Sequence, residues 1–148
     1  PKITGSIAAD FSNYGKRNVD VFAPGVKIYS TFPGGNQYGN LKGTSMSAPI
    51  VSGLAALIRG YYPELNAMQV KKIIEESAVQ PENTLTVVRP GTKDEEIPFN
   101  LLSKTGGIIN AYKAVLSADT TKTAAAVILK TPVKPSNIPS QKNTKSNR

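Results

Sequence analysis

The heptapeptide GTSMSAP at residues 43–49 carries the clearest candidate for chemistry in the chain, the hydroxyl of Ser45. A serine is a poor nucleophile at neutral pH, so a catalytic one needs a base beside it and donors aimed at the developing oxyanion. The apolar run after the heptapeptide predicts a helix, which places Ser45 at a helix N-terminus. Unpaired N–H groups and the helix dipole favour negative charge there, so the pattern is compatible with attack on a carbonyl.

Two neighbours of Ser45 bear on this interpretation. Gly43 lets the backbone pass close to a substrate without a side chain in the way. Pro49 has no N–H for the carbonyl of Ser45, so the first helical turn should be irregular and held by its surroundings. Taken alone, a serine at this place is more often a helix-capping hydroxyl. A lipase-type elbow does not fit, because G-x-S-x-G needs glycine where Ser47 stands.

The elements around this heptapeptide can be predicted from hydrophobic pattern. Residues 19–32 read as two short strands separated by Pro24 and Gly25. The run at 50–58 is apolar on several faces with small residues between, which is typical of a buried core helix of about 14 residues. A second helix begins near Asn66, where Gln69 completes a capping box. Its core stripe is Val70, Ile73, Ile74, Ser77 and Ala78, and its solvated face carries Lys71, Lys72, Glu75 and Glu76 as i,i+4 pairs.

The second half of the chain is less regular. Residues 81–105 are polar and predict an irregular hairpin with an acidic patch at Asp94, Glu95 and Glu96. That patch could be a calcium ligand cluster, but the favoured interpretation is a solvated hairpin tip, because nothing shows EF-hand-like alternation with a glycine. A short helix from Asn110 to Val115 follows Gly106 and Gly107.

Composition limits the function classes. The chain of 148 residues has no cysteine and no histidine. Any catalysis through an imidazole therefore needs a histidine from outside these residues. Six of the eight net positive charges lie in residues 120–148, which are rich in Lys, Pro, Ser and Thr and predict a disordered tail. This tail has no aromatic residue to stack on bases, so a solubilising spacer is favoured over nucleic-acid binding. No run is long enough to predict a membrane span. Residues 1–15 are mixed and polar, so we expect any targeting signal to lie upstream of them.

GTSMSAP resembles the nucleophile motif of the subtilisin-like serine proteases (subtilases, peptidase family S8), whose serine comes last of the triad in chain order. The resemblance covers residues 3–118 and extends to five further segments in the family's order. These are FSNYG at 11–15, VDVFAPG at 19–25, IYSTFPGG at 28–35, QVKKIIEESA at 69–78 and GGIINAYKAV at 106–115.

The resemblance implies that Ser45 is the nucleophile and that its backbone N–H is one oxyanion donor. It implies that Gly43 and Thr44 border the scissile bond and that Met46 is an oxidation-sensitive neighbour. By adjacency alone, Leu41 and Lys42 would lie on the leaving-group side. The triad Asp and His and the Asn of the oxyanion hole would lie upstream of Pro1, so we expect this chain alone to lack peptidase activity.

Together these observations predict the C-terminal portion of a three-layer α/β fold with a mostly parallel sheet and a central buried helix. Residues 1–118 would belong to the catalytic domain and residues 119–148 to the tail. By resemblance, the intact protein would be a secreted or periplasmic endopeptidase acting on polypeptides, with no required cofactor, calcium as an optional stabiliser and no catalytic metal. The alternative is a non-catalytic subtilase-like binding or structural domain.

Overall fold

In the computed structural model, residues 7–82 and 85–130 are described, with side chains as far as residue 121. Helices and strands are both present, as the α/β prediction requires. In chain order they are β1 (Ile28–Phe32), β2 (Gln37–Leu41), α1 (Thr44–Tyr61), α2 (Ala67–Glu76), β3 (Thr86–Val88), β4 (Glu96–Pro98), a one-turn 3₁₀ helix (Phe99–Leu101) and α3 (Ala111–Lys130).

The strands of the described residues form two small antiparallel sheets rather than the mostly parallel sheet predicted. β1 pairs with β2, and β3 pairs with β4, which forms the hairpin expected in residues 81–105. Parallel pairing within this part of the chain is limited to one bridge, between Phe22 and Ile108. The reason is that Val19–Ala23, predicted as a strand, bonds to the loop at 104–109 instead of to a continuous neighbouring strand.

Helix α1 is longer and less buried than its apolar sequence predicts. It has 18 residues, of which Leu54 and Ile58 are buried, while 44% of the surface of Leu57 is exposed. One side of α1 packs against α2 and α3. Another side lines an open groove of about 600 Å³ together with α2 and the segment at 18–21. The central, fully buried position predicted for this helix is therefore not reproduced by the described residues.

Helix α2 confirms its predicted start. The side chain of Asn66 accepts a hydrogen bond from the N–H of Gln69, the Gln69 side chain accepts one from the N–H of Asn66, and both distances are 2.9 Å. The predicted stripe faces the interior, with Val70, Ile73 and Ile74 buried. The ion pairs Lys71–Glu75 and Lys72–Glu76 form on the solvated side.

Two clusters of buried residues make up the core. The first joins α1, α2 and α3 and contains Leu54, Ile58, Leu65, Val70, Ile73, Ile74, Ala114 and Ala118. The second lies under the β3–β4 hairpin and contains Ala8, Val87, Phe99 and Leu102. Phe22 packs on the second cluster, with its ring centroid 5.0 Å from that of Phe99. The segment at 22–25, which bonds to the start of α1, is thus anchored on a packed core.

Helix α3 begins where the sequence predicts but continues further. Asn110 caps it by accepting a hydrogen bond from the N–H of Lys113, and the helix runs to Lys130 instead of ending near Val115. The helix includes residues on both sides of residue 118, and the domain boundary there stays a prediction. Residues 131–148, most of the predicted tail, lie outside the described residues, so the disordered tail stays a prediction.

Candidate active site

Ser45 is the second residue of α1 and its side chain is exposed to solvent. Gly43 is the N-cap, with φ of 150° and ψ of 159°, and it provides no side-chain cap. The N–H groups of the first turn have no carbonyl four residues back within the helix, so they are open to other acceptors. Met46 is half-buried beside Ser45, and its N–H donates to the carbonyl of Gly43 at 3.0 Å.

The residues around Ser45, but not Ser45 itself, are tied to other parts of the chain. The Gly43 N–H donates to the carbonyl of Gly25 at 2.8 Å. The Thr44 hydroxyl accepts a hydrogen bond from the N–H of Asn13 at 3.4 Å. The Ser47 hydroxyl donates to the carbonyl of Ala23 at 3.1 Å. Among the described residues the Ser45 hydroxyl has no hydrogen-bond partner, so it is available for a partner outside them.

The contact between Gly25 and the first turn of α1 is close. A Cβ added to Gly25 would lie 2.5 Å from the Ser47 Oγ and 3.0 Å from the Gly43 carbonyl oxygen. Any side chain at residue 25 would therefore push the segment and the helix start apart. The close approach explains why glycine stands in the predicted Pro24-Gly25 turn.

An ionic cluster holds the chain just before this contact. Lys71 Nζ lies 2.9 Å from Asp20 Oδ2 and 3.5 Å from Glu75 Oε1, and Lys104 Nζ lies 2.7 Å from Glu75 Oε2. The pKa of Lys71 is raised above its ordinary 10.5, mainly by the hydrogen bond and charge of Asp20 and less by Glu75, although desolvation acts in the opposite direction. The cluster fastens the segment at 19–20 to α2.

Two residues predicted on the leaving-group side by adjacency lie just before α1. Leu41 is the last residue of β2 and is partly exposed. Lys42 is exposed, with its Nζ 5.8 Å from the centroid of the Phe11 ring. That geometry is compatible with a weak cation–π contact. Their place beside a substrate stays a prediction.

The structure therefore brings together Gly43, Thr44, Ser45 and Met46 at one exposed helix start. The sequence interpretation did not include the residues that hold this start, which are Asn13, Ala23, Gly25 and Ser47. One signal for them was available, since the missing N–H of Pro49 already required outside support for the first turn.

The chain's described part contains no group of three or more His, Cys, Asp or Glu side chains that could hold a metal ion. At the acidic hairpin tip, Glu95 instead pairs with Arg89, with 3.0 Å between Oε1 and NH1. These residues do not fit a calcium site, and a calcium requirement of the intact domain stays a prediction. None of the helices, over the described ranges, is long and apolar enough to cross a membrane.

The known proteins to which this chain is similar include two bacterial proteases. Subtilisin DY of Bacillus licheniformis is 49% identical over 70 residues, which are 47% of this chain and 25% of that protein. The thermostable alkaline protease of Halalkalibacterium halodurans is 43% identical over 70 residues, 47% of this chain and 19% of that protein. The chain thus spans about a quarter or less of the length of these relatives.

Among solved structures, a chain from the subtilase cytotoxin SubAB assembly superposes with a TM-score of 0.59 at 24% identity. The match covers 77% of this chain and 31% of that one, and it shows similarity of fold alone. The model of the peptidase S8, or subtilase, family matches residues 3–123, more than half of the sequence. The chain therefore belongs to the subtilase family of serine proteases.

Proposed function

We propose that this chain is the C-terminal part of the catalytic domain of a subtilisin-like serine endopeptidase and that Ser45 is its nucleophile. One observation carries the proposal: in a chain of this family, the Ser45 hydroxyl is exposed at the start of α1 while its neighbours are fixed. The hydroxyl oxygen of a capping serine would instead accept a hydrogen bond from an N–H of the first turn. The capping position of α1 is held by Gly43, and the Ser45 hydroxyl makes no hydrogen bond among the described residues.

The proposed reaction is acyl transfer. The Ser45 oxygen attacks the carbonyl carbon of a peptide bond, and its proton passes to a histidine supplied by another part of the protein. Negative charge then develops on the carbonyl oxygen, where the Ser45 N–H and the N-terminal end of the α1 dipole stabilise it. The histidine returns the proton to the leaving amine. Water, activated in the same way, hydrolyses the acyl-enzyme and restores the Ser45 hydroxyl.

The base has to come from outside the 148 residues, because they contain no histidine. A serine without its base retains only the part of the rate enhancement that comes from oxyanion stabilisation and substrate binding. We therefore expect the isolated chain to be inactive and the full-length protein to be active. By family membership we also propose polypeptide substrates, an upstream segment of the same domain as partner, and a secreted or periplasmic location.

Turnover of casein or a peptide ester by the full-length protein tests the proposal. Ser45→Ala should lower kcat by about a millionfold, the loss known for removal of the nucleophile in subtilisin. Ser30→Ala is a matched control, because Ser30 is an exposed serine of β1 whose hydroxyl has no hydrogen bond among the described residues. It should leave kcat unchanged.

Two results would contradict the proposal. If the full-length protein is folded but has no turnover, the non-catalytic subtilase-like domain becomes the better account. If turnover survives Ser45→Ala, another residue is the nucleophile. We expect Ser45 to need a base from outside the 148 residues. Turnover by the isolated chain would refute that expectation if it disappears on Ser45→Ala.

A further inference from the structure

The first turn of α1 cannot hold its own shape. Pro49 lies inside α1 and has no N–H, so the carbonyl of Ser45 lacks its partner four residues ahead. The N-cap, Gly43, has no side chain with which to cap the turn. The backbone that carries Ser45 is therefore short of internal hydrogen bonds at both ends of its first turn.

Hydrogen bonds to another part of the chain hold the start of α1 in place. Gly43 and Ser47 flank Ser45 by two residues on either side, and both bond to the segment Ala23–Gly25. Gly43 is bonded through its backbone, which mutation cannot easily remove. The Ser47 bond runs through a half-buried hydroxyl, at 3.1 Å from the carbonyl of Ala23.

The same segment also sets how far α1 can move. The space between Gly25 and the helix start cannot hold a Cβ, because that atom would lie 2.5 Å from the Ser47 Oγ. The Gly43 N–H already lies at hydrogen-bond distance, 2.8 Å, from the Gly25 carbonyl, so α1 cannot move closer to the segment. Movement away stretches this bond and the Ser47 hydrogen bond. The segment itself is held at Phe22 by hydrogen bonds to Gly107 and Ile109.

We infer that Ser47 is a positioning residue for Ser45: with Gly25 it forms a lock that fixes the first turn of α1 at one distance from the segment Ala23–Gly25. The inference rests on the proposed function. The lock aligns the Ser45 hydroxyl and the Ser45 N–H with a bound carbonyl, and a small displacement of reacting atoms lowers the rate of the chemical step far more than substrate binding.

The test compares Ser47→Ala, Gly25→Ala and the double variant in the full-length protein. Ser47→Ala should lower kcat about tenfold with KM changed less than twofold. Gly25→Ala should lower kcat more, because its Cβ meets the Ser47 Oγ. The double variant should be more active than the product of the two single effects predicts, because removal of the Oγ relieves that overlap. Ser30→Ala serves again as the control and should match the unmodified protein.

Each outcome separates the inference from the proposed function. If the unmodified protein has no turnover, the proposed function fails and the inference falls with it. If the unmodified protein is active and Ser47→Ala lowers only the melting temperature while kcat is unchanged, Ser47 is structural and the inference alone is overturned. If the effects of Gly25→Ala and Ser47→Ala multiply independently, the two residues do not act as one lock. A shared, non-multiplicative loss in kcat supports it.

Discussion

Gly106 offers the sharpest test of how the described fold supports the site. It has φ of +63°, and a Cβ added there would lie 2.8 Å from the carbonyl oxygen and 2.9 Å from the Cα of Asn100. Both contacts are with backbone, so no side chain can rotate away to relieve them. Gly106 also precedes the residues whose bonds hold Phe22 and the segment Ala23–Gly25.

The magnitude for Gly106→Ala follows from two contributions. A left-handed conformation costs an L-residue about 1–2 kcal/mol. Overpacking against fixed backbone adds about 1–3 kcal/mol. We therefore expect the free energy of unfolding to fall by about 2–5 kcal/mol. Gly91 supplies the control, because its φ is +82° but nothing lies within 4 Å of its added Cβ. Gly91→Ala should cost only the conformational part, about 1–2 kcal/mol.

Urea unfolding of the full-length protein measures both changes. Ser45→Ala should be present in every variant, so that self-digestion does not distort the curves. The change in the free energy of unfolding can be read from the shift of the urea midpoint if the slope of that free energy against urea concentration is unchanged. If Gly106→Ala destabilises the protein no more than Gly91→Ala does, the close approach to Asn100 is not as described and the reasoning fails.

Two further predictions concern α2. Because the pKa of Lys71 is raised in the folded state, its pairing with Asp20 stabilises the protein below pH 10.5 and is lost as the pH rises through the raised value. Between pH 9.5 and about 11.5, the melting temperature of the Lys71→Gln variant should therefore fall less than that of the control variant Lys72→Gln, which keeps the Lys71–Asp20 pair. Equal falls in the two variants would contradict this. Asn66→Ala should cost about 1 kcal/mol in urea unfolding, since it leaves the N–H of Gln69 uncapped. A change below a few tenths would refute that role.

Local features of the fold could be predicted from the sequence because they depend on residues close together in the chain. The capping box at Asn66 and the i,i+4 ion pairs of α2 need only one or two turns of helix, and both are confirmed. The β3–β4 hairpin is likewise local.

Features that depend on distant parts were not predicted correctly. Val19–Ala23 has the composition of a strand, yet it bonds to a loop more than 80 residues later, because β composition does not specify the partner. The apolar run of α1 indicates burial but cannot say which residues cover it, and one face lines a groove here.

The candidate site likewise has one part that could be predicted from the local sequence and another that could not. Ser45 was identified from seven consecutive residues, and it lies at the start of a helix, as the apolar run predicts. Its exposure to solvent was not part of that prediction. Its supporting residues were not identified, because Asn13, Ala23 and Gly25 come near it only through folding. Its role as nucleophile stays a prediction, since the partner that would act as base lies outside these residues.

The most direct test of the central claim is to map where a fluorophosphonate attaches to the full-length protein. The reagent reacts with a serine activated by a base, so an exposed but unactivated serine should not be labelled. The account predicts one adduct, on Ser45 in the peptide that contains GTSMSAP, and its loss on Ser45→Ala. An adduct on a different serine, or no adduct on folded protein, would contradict it.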